Sequence, residues 1–187
     1  MTRIVVTEFV SMDGVMEDPG GAEDFEHGGW TFEIDRGEEG NRFKLDETFA
    51  SDALLLGRVT YEGFAEAWPS REGEFADKFN TMPKYVVSST LTEPQWQNTT
   101  VLAGDPVDAV SKLKREQDGE IVVHGSARLA QALLEHDLVD ELRLMVFPVV
   151  LGSGRRLFGQ ARDKKRMRLV ESRSVGDGVV ILVYERA

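Results

Sequence analysis

The stretch from Glu120 to Phe158 constrains the fold of this chain more than any other part of the sequence. A short apolar run, Ile121–Val123, ends in a glycine turn, and the residues after that turn follow a helical apolar spacing. A second apolar run, Leu142–Leu151, ends in the loop Gly152-Ser153-Gly154-Arg155-Arg156. Two strand ends with glycine turns, so close in sequence, predict a ligand cleft at the carboxyl edge of an α/β sheet.

The turn after the first run, His124-Gly125-Ser126, has the features of an anion site. Gly125 allows a sharp bend, Ser126 can cap the next helix, and the backbone N–H groups at a helix start attract phosphate. Leu129 begins the inward face of that helix. His124 lies beside the predicted cleft, although a histidine tethered to neighbouring backbone is the commoner arrangement. The three histidines are too scattered to predict a metal site.

Composition narrows the range of functions. The 187 residues suit one domain, 1–187, and the net charge of −11 disfavours a nucleic-acid or anionic-membrane surface. The absence of cysteine excludes thiolate catalysis, disulfides and Cys-ligated metal. The N-terminal segment is too weakly apolar for a signal peptide, and no run of 18 apolar residues occurs, so we expect a cytoplasmic protein.

The remaining predicted elements alternate between strands and helices. Further strands are predicted at Arg3–Phe9, Ala53–Leu56, Lys84–Val87 and Thr99–Leu102. Further helices are predicted at Glu38–Ser51, from Arg58 onward and from Pro106 to about Gln117, and a short helix or turn is predicted at Glu74–Met82. Met167–Val175 and Val179–Glu185 flank a glycine turn and predict a closing hairpin. This order predicts a mostly parallel α/β sheet with helices on both faces and an antiparallel C-terminal hairpin.

Other strand ends carry groups suited to the same ligand. Gly57 and Arg58 follow one strand, with Thr60 able to donate its hydroxyl near the start of a helix. Ser88-Ser89-Thr90 follows the next strand, although hydroxyl runs also form simple turns. Asp13-Gly14 follows the first strand, where a carboxylate could serve the ligand or shape the turn. Their convergence predicts one extended anionic ligand.

Trp30 lies within the acidic, glycine-rich passage that follows the first strand. Packing against the core is the commoner outcome for such an aromatic residue, and the alternative is the wall of a ligand pocket.

Together these motifs resemble the dihydrofolate-reductase-like superfamily, and most closely its branch related to the riboflavin-biosynthesis reductase domain. The resemblance covers essentially the whole chain and rests on the order of five motifs. They are Ser11-Met12-Asp13-Gly14, Leu56-Gly57-Arg58-Val59-Thr60-Tyr61-Glu62, Val87-Ser88-Ser89-Thr90, His124-Gly125-Ser126 and Pro148-Val149-Val150-Leu151-Gly152-Ser153-Gly154.

The resemblance implies an eight-stranded NADPH-binding fold and assigns roles to matching positions. Arg58, Ser88 and Ser89 would meet the adenosine 2′-phosphate. Thr60, Gly125 and Ser126 would meet the pyrophosphate, with Gly57 and Leu129 beside them. Asp13 and Gly14 would flank the nicotinamide, while Trp30, Gly152, Gly154 and Arg155 would line the substrate side.

The implied reaction is hydride transfer from NADPH to a carbonyl or imine carbon of a small heterocyclic or sugar-linked substrate. The riboflavin branch suggests reduction of 5-amino-6-(5-phosphoribosylamino)uracil, with the proton coming from Asp13 or from water. A folate reductase would need a carboxylate on the first helix, for which Asp35, Asp46 and Glu47 are candidates. A non-catalytic NADPH-binding module is the other alternative. The resemblance also suggests a homodimer, with the closing hairpin as a natural contact.

Overall fold

The chain folds around one eight-stranded sheet in a computed structural model that describes residues 2–160 and 163–187. The strands are β1 (Arg3–Ser11), β2 (Ala53–Gly57), β3 (Lys84–Val87), β4 (Thr99–Leu102), β5 (Glu120–His124), β6 (Glu141–Phe147), β7 (Met167–Val175) and β8 (Val179–Arg186). The helices are α1 (Gly37–Ala50), α2 (Arg58–Ala67), α3 (Glu74–Thr81), α4 (Pro106–Glu116) and α5 (Ala127–Glu135). A 3-10 turn spans Trp30–Glu33.

The strand order across the sheet is β4-β3-β2-β5-β1-β6-β8-β7. The first six of these strands run parallel, whereas β8 is antiparallel to β6 and pairs with β7 in the closing hairpin. The predicted fold class is therefore confirmed, including the mostly parallel sheet and the antiparallel hairpin. The predicted strand at Leu142–Leu151 is too long, because Pro148 lacks the N–H that would continue the ladder.

Helices pack on both faces because the buried strands are apolar on both sides. Leu55 points into a cluster with Val110 of α4 and Leu133 of α5, while Leu54 points into another with Phe79 of α3. Alternate residues of one strand thus reach opposite layers. Burial on both faces fixes β2 in the middle of the fold and holds its carboxyl end beside that of β5.

Helix α1 differs from the expected amphipathic helix. The sequence predicts that Phe43, Leu45 and Phe49 mark its apolar side, yet Phe49 is 48% exposed. The buried side chains of α1 include Lys44 and Glu47, which form an ion pair, and both bind the Thr7 hydroxyl of β1. The inward prediction is therefore wrong for Phe49, whereas Phe43 packs against the cluster that contains Trp30. The charges of α1 are buried beside it because paired charges can occupy an interior when their hydrogen bonds are satisfied.

A buried lysine anchors the edge of the sheet beside α3. Lys84 is 0% exposed, and its Nζ donates to the carbonyl oxygens of Asn80, Met82 and Gln97 at 2.9, 2.8 and 3.2 Å. The ammonium also lies 4.3 Å from the ring centroid of Trp96. These contacts satisfy the cation and connect the end of α3 to the segment before β4.

Strand β7 forms one edge of the sheet, with Leu169 and Val170 each 50% exposed. The ladder between β7 and β8 shifts its register between Leu169 and Glu171, which leaves Val170 as an extra residue. The homodimer stays a prediction.

Across residues 2–160 and 163–187, no helix has the length and apolar character needed to cross a membrane. Within the same ranges, no group of three or more His, Asp or Glu side chains could hold a metal ion.

We expect Lys84→Met to destabilise the fold strongly. Methionine fills much of the same volume but leaves three carbonyl groups without their donor, which should lower the free energy of unfolding by roughly 3 kcal/mol. Urea denaturation measures this change. Lys112→Met, at an exposed site on α4, is the matched control and should change stability by less than about 0.5 kcal/mol. Equal effects of the two substitutions would contradict the anchoring role of Lys84.

Candidate functional site

The predicted site residues gather along one edge of the sheet. Five neighbouring strands, in the order β3, β2, β5, β1 and β6, present their carboxyl ends to this edge. At the usual strand spacing of about 4.8 Å, the row spans about 19 Å. Such a length suits an extended ligand. We call this row the strand-end edge.

Hydrogen bonds join the loop after β2 to the loop after β5. The Gly57 N–H donates to the Ser126 hydroxyl oxygen, and the Ser126 N–H donates to the Thr60 hydroxyl oxygen, each at 2.9 Å. Gly125 has a φ of +55°, and a Cβ there would meet Thr60 at 3.1 Å. Four predicted residues from separate parts of the sequence therefore form one cluster, in which Gly125 is required by its conformation and by its close approach to Thr60.

Ser126 does not cap α5 as the sequence suggests. It adopts a left-handed conformation with φ 58°, and its hydroxyl donates to the His124 carbonyl while accepting from Gly57. The capping prediction is wrong, because the hydroxyl is used to bridge the two loops. Neither α2 nor α5 has a side-chain cap. The first N–H groups of both helices therefore favour an anion.

Arg58 and the serine pair lie at adjacent strand ends. Gly57 pairs with Val87 across β2 and β3, which places the next residues, Arg58 and Ser88, side by side at the same edge. The Arg58 guanidinium donates to the Glu62 carboxylate at 2.9 to 3.0 Å. Ser88 shapes its own turn, since its hydroxyl accepts from the N–H groups of Thr90 and Leu91, whereas Ser89 is exposed.

Asp13 joins the end of β1 to the loop after β6. Its carboxylate accepts hydrogen bonds from the Ser11 hydroxyl at 2.6 Å and from the N–H groups of Leu151 and Gly152 at 3.1 and 2.9 Å. These bonds, led by that of Ser11, lower the pKa of Asp13 to about 2. Asp13 is therefore ionised at neutral pH and holds the Gly152 loop in place.

The Gly152 loop is also held by its two arginines. Arg155 pairs with the carboxylates of Glu17 and Glu23 at 3.0 and 3.2 Å, and Arg156 donates to the Asp13 carbonyl at 3.0 Å. Gly154 has a φ of +105°, and a Cβ there would come within 2.8 Å of Val15. The loop thus packs against the segment after β1.

Gly14 lies in the turn opposite that loop. Its N–H donates to the Ser11 carbonyl, and its own carbonyl accepts from Leu157. Within residues 2–160 and 163–187, and apart from the adjoining residues of the chain, no atom lies within 4 Å of a Cβ built on Gly14 or on Gly152. Both glycines therefore leave space on this side of the strand-end edge.

Trp30 is buried, as the commoner alternative predicts. It is 2% exposed, its indole N–H donates to the Glu17 carbonyl, and its ring packs edge-on against Phe147. It also lines a cavity of about 300 Å³ bounded by Val149, Val150 and Leu151. The tryptophan is thus part of the core and borders the segment before Gly152.

Leu129, on the inward side of α5, is also buried, at 7% exposure, in the cluster beneath that helix.

The larger cavity lies elsewhere, between α1 and the hairpin. Its volume is about 740 Å³, and charged groups of the outer face of α1 line it together with Arg173. None of the predicted site residues belongs to its lining. We assign the site to the strand-end edge, because the predicted residues bind one another there.

Glu8, which the sequence reasoning missed, and His124, which it placed beside the cleft, also lie at this edge. Of the buried side-chain nitrogens and oxygens in residues 2–160 and 163–187, Glu8 Oε1 and His124 Nε2 have no hydrogen-bond partner. Burial, with the nearby charges of Lys44 and Arg143, holds the pKa of His124 well below its usual value, so the ring is neutral. Glu8 could have been found from the sequence, because it is a carboxylate within the largely apolar strand predicted at Arg3–Phe9.

The carboxylate required of a folate reductase is best matched by Glu47. Asp35 and Asp46 are exposed, whereas Glu47 is 5% exposed and faces β1. Lys44 and the Thr7 hydroxyl already occupy its oxygens. An ion-paired carboxylate at this place is poorly suited to binding a protonated heterocycle.

Comparisons with known proteins place the chain among reductase-like folds. The family model of the RibD C-terminal domain matches residues 2–181. YyaP of Bacillus subtilis, an uncharacterised protein, is 29% identical over 188 residues, which cover 97% of this chain and 94% of YyaP.

Two solved structures share the fold. A protein of Shewanella sp. PV-4, named for riboflavin biosynthesis, superposes with a TM-score of 0.80 at 24% identity, over 99% of both chains. Dihydrofolate reductase of Enterococcus faecalis, solved with NADP(H), gives 0.60 at 15% identity, over 98% of this chain and 96% of the reductase. The dihydrofolate-reductase-like fold is therefore confirmed.

We expect Asp13→Asn to lower stability in a pH-dependent way. Because folding lowers the pKa of Asp13 from 3.8 to about 2, its stabilisation is complete above pH 4 and declines as the pH falls toward 2. The difference in free energy of unfolding between wild type and variant should roughly halve between pH 7 and pH 3. Urea titrations at both pH values measure it, with the exposed Asp46→Asn as control. A difference independent of pH would contradict this assignment.

Proposed function

The chain belongs to the RibD C-terminal domain family, and from this membership we propose that it is an NADPH-dependent reductase acting on a carbonyl or imine carbon of a small heterocyclic or sugar-linked acceptor. The family is reductase-like, which supports an enzyme. The observation that carries the proposal is the row of strand ends, because it has the uncapped starts of α2 and α5 and the open turns at Gly14 and Gly152 on one continuous edge.

The pyrophosphate of the cofactor would bind at the starts of α2 and α5. Both helices lack side-chain caps, and the bonds among Gly57, Thr60 and Ser126 hold their first turns together. Two helix dipoles then act on the same anion. The glycine at position 125 lets the backbone approach closely, as a phosphate contact requires.

The adenosine 2′-phosphate would bind between Arg58 and Ser89. Arg58 is the first residue of α2 and lies at the edge beside the β3 end, while Ser89 is exposed there. Glu62 holds the guanidinium near this place before a ligand binds. Arginine suits a dianionic phosphate because its donors form paired charged hydrogen bonds.

The acceptor would lie near Gly14 and Gly152, with Asp13 in a positional role. Bound NADPH supplies the hydride. The residues of this chain fix the Gly152 loop and leave room beside it. With a pKa of about 2, Asp13 carries no proton at neutral pH, which favours water as the proton source.

The acceptor's chemistry is restricted by the arginines of the loop. Arg155 and Arg156 contact three carboxylates, so this loop has no excess of positive charge to offer a phosphate. This favours an acceptor without a phosphate at the Gly152 loop over 5-amino-6-(5-phosphoribosylamino)uracil. The committed Glu47 carboxylate likewise disfavours dihydrofolate.

The proposed activity is tested by following NADPH oxidation with a panel of acceptors. The panel contains unphosphorylated carbonyl and imine heterocycles, their ribosylated forms, 5-amino-6-(5-phosphoribosylamino)uracil and dihydrofolate. Oxidation with a member of the first two groups supports the proposal. Binding of NADPH without oxidation of any acceptor would instead favour the non-catalytic module, and absence of NADPH binding would reject both.

We expect Arg58→Gln to weaken NADPH binding selectively. Losing a charged contact to the 2′-phosphate should raise the Kd for NADPH by about ten- to a hundredfold and leave the Kd for NADH nearly unchanged. Titration of cofactor fluorescence measures both constants. Arg42→Gln, an exposed arginine on α1, removes the same charge away from the edge and should leave both constants unchanged. Equal losses for NADPH and NADH would show that Arg58 does not contact the 2′-phosphate.

A further inference from the structure

Glu8 is a buried carboxyl at the centre of the strand-end edge. It is 6% exposed and lies near the carboxyl end of β1, the strand between β5 and β6. Its Oε2 accepts the Gly125 N–H at 3.1 Å, which places the carboxyl against the turn that opens α5. Its Oε1 is buried and has no hydrogen-bond partner. Buried polar atoms without partners are uncommon, and this one adjoins the predicted phosphate turn.

The surroundings of Glu8 favour a neutral carboxyl. By strand alternation it shares the face of Val6 and Val10, which pack with the apolar side of α5. The charged groups acting on it are Lys44 and Glu47 of α1, which are paired with each other. Burial raises the pKa of Glu8 well above its usual value, and the Lys44 charge and the Gly125 bond oppose this only in part.

The hydrogen-bond pattern fixes where the proton lies. Oε2 accepts from Gly125 and therefore acts as the carbonyl oxygen, so a neutral carboxyl carries its proton on Oε1. A protonated Oε1 is a donor, and its natural partner is an anionic oxygen. An ionised Glu8 would instead repel an anion at the Gly125 turn.

We propose that Glu8 is a ligand-binding residue of the strand-end edge, which donates a hydrogen bond from a protonated Oε1 to an oxygen of the dinucleotide bound at the Gly125 turn. This inference rests on the proposed NADPH site and adds a property to it. Binding of the ligand takes up a proton wherever free Glu8 is ionised. The contribution of Glu8 to affinity is therefore largest at low pH and falls as the pH rises through the pKa of Glu8 in the free protein, by at most about tenfold per pH unit.

The test compares NADP⁺ binding by wild type, Glu8→Gln and Glu8→Leu between pH 5.5 and pH 8. Glutamine keeps an acceptor for Gly125 and a donor for the ligand, but it cannot ionise. It should bind like wild type at the low end, and the affinity ratio of Glu8→Gln to wild type should rise as the pH passes through the pKa of Glu8 in the free protein, by at most about tenfold per pH unit. Leucine should bind weakly at every pH. The 2′-phosphate of NADP⁺ titrates identically for all three proteins, so the ratio isolates Glu8.

Calorimetry gives a second readout, which measures protons directly. Titrations with NADP⁺ in buffers of different ionisation enthalpy should show more proton uptake per bound ligand for wild type than for Glu8→Gln. Parallel pH profiles for wild type and Glu8→Gln would overturn the role of Glu8 while leaving the proposed cofactor site intact. Failure of wild type to bind NADP⁺ at any pH would overturn both.

Discussion

The bridge formed by the Ser126 hydroxyl is the contact on which the strand-end edge depends. It accepts from Gly57 and donates to the His124 carbonyl, so one oxygen joins loops separated by 69 residues in the sequence. Using the hydroxyl in this way leaves α5 without a cap, while the Thr60 hydroxyl is occupied by the Ser126 N–H. Both helix starts thus lack a side-chain cap, an arrangement that favours an anion beside them.

The interior beneath α1 contains buried polar and charged side chains, unlike most of the core. Most of the sheet is covered by aliphatic and aromatic side chains, whereas Thr7, Lys44 and Glu47 form a buried polar group between α1 and β1. Breaking such a group leaves a charge without its partner, which is costly. The conformation of α1 is therefore specified by pairing more than by apolar area.

The strands and helices of this fold were largely predictable from local pattern. Gly57, Gly125 and Pro106 mark element boundaries that the structure reproduces, and the Asp105 carboxylate caps α4 just before Pro106. The gathering of Gly57, Thr60, Gly125 and Ser126 was also predictable, because parallel strands end at one edge. Turn, cap and strand residues that are close in sequence are therefore sufficient to predict the elements and the edge at which the site residues meet.

Side-chain use could not be predicted in the same way. The Ser126 hydroxyl had equally good local and distant partners, and only the pairing of β2 with β5 decides between them. The inward side of α1 depends on Thr7, which is distant in sequence. The local pattern alone therefore predicts that the charged side chains of Lys44 and Glu47 face solvent. Glu8 was missed for a similar reason, since its partner, the Gly125 N–H, comes from another strand.

Two parts of the strand-end edge are held by contacts of different physical character. Neutral hydrogen bonds between the loops after β2 and β5 fix the Ser126 cluster, whereas half-exposed ion pairs such as Arg155 with Glu17 contribute to fixing the Gly152 loop. Dissolved ions screen exposed charge pairs over about 8 Å at physiological ionic strength and leave neutral hydrogen bonds nearly unaffected. The Gly152 loop is thus the part of the edge whose order depends on the salt around it, while the Ser126 cluster keeps its shape in dilute and concentrated solutions alike.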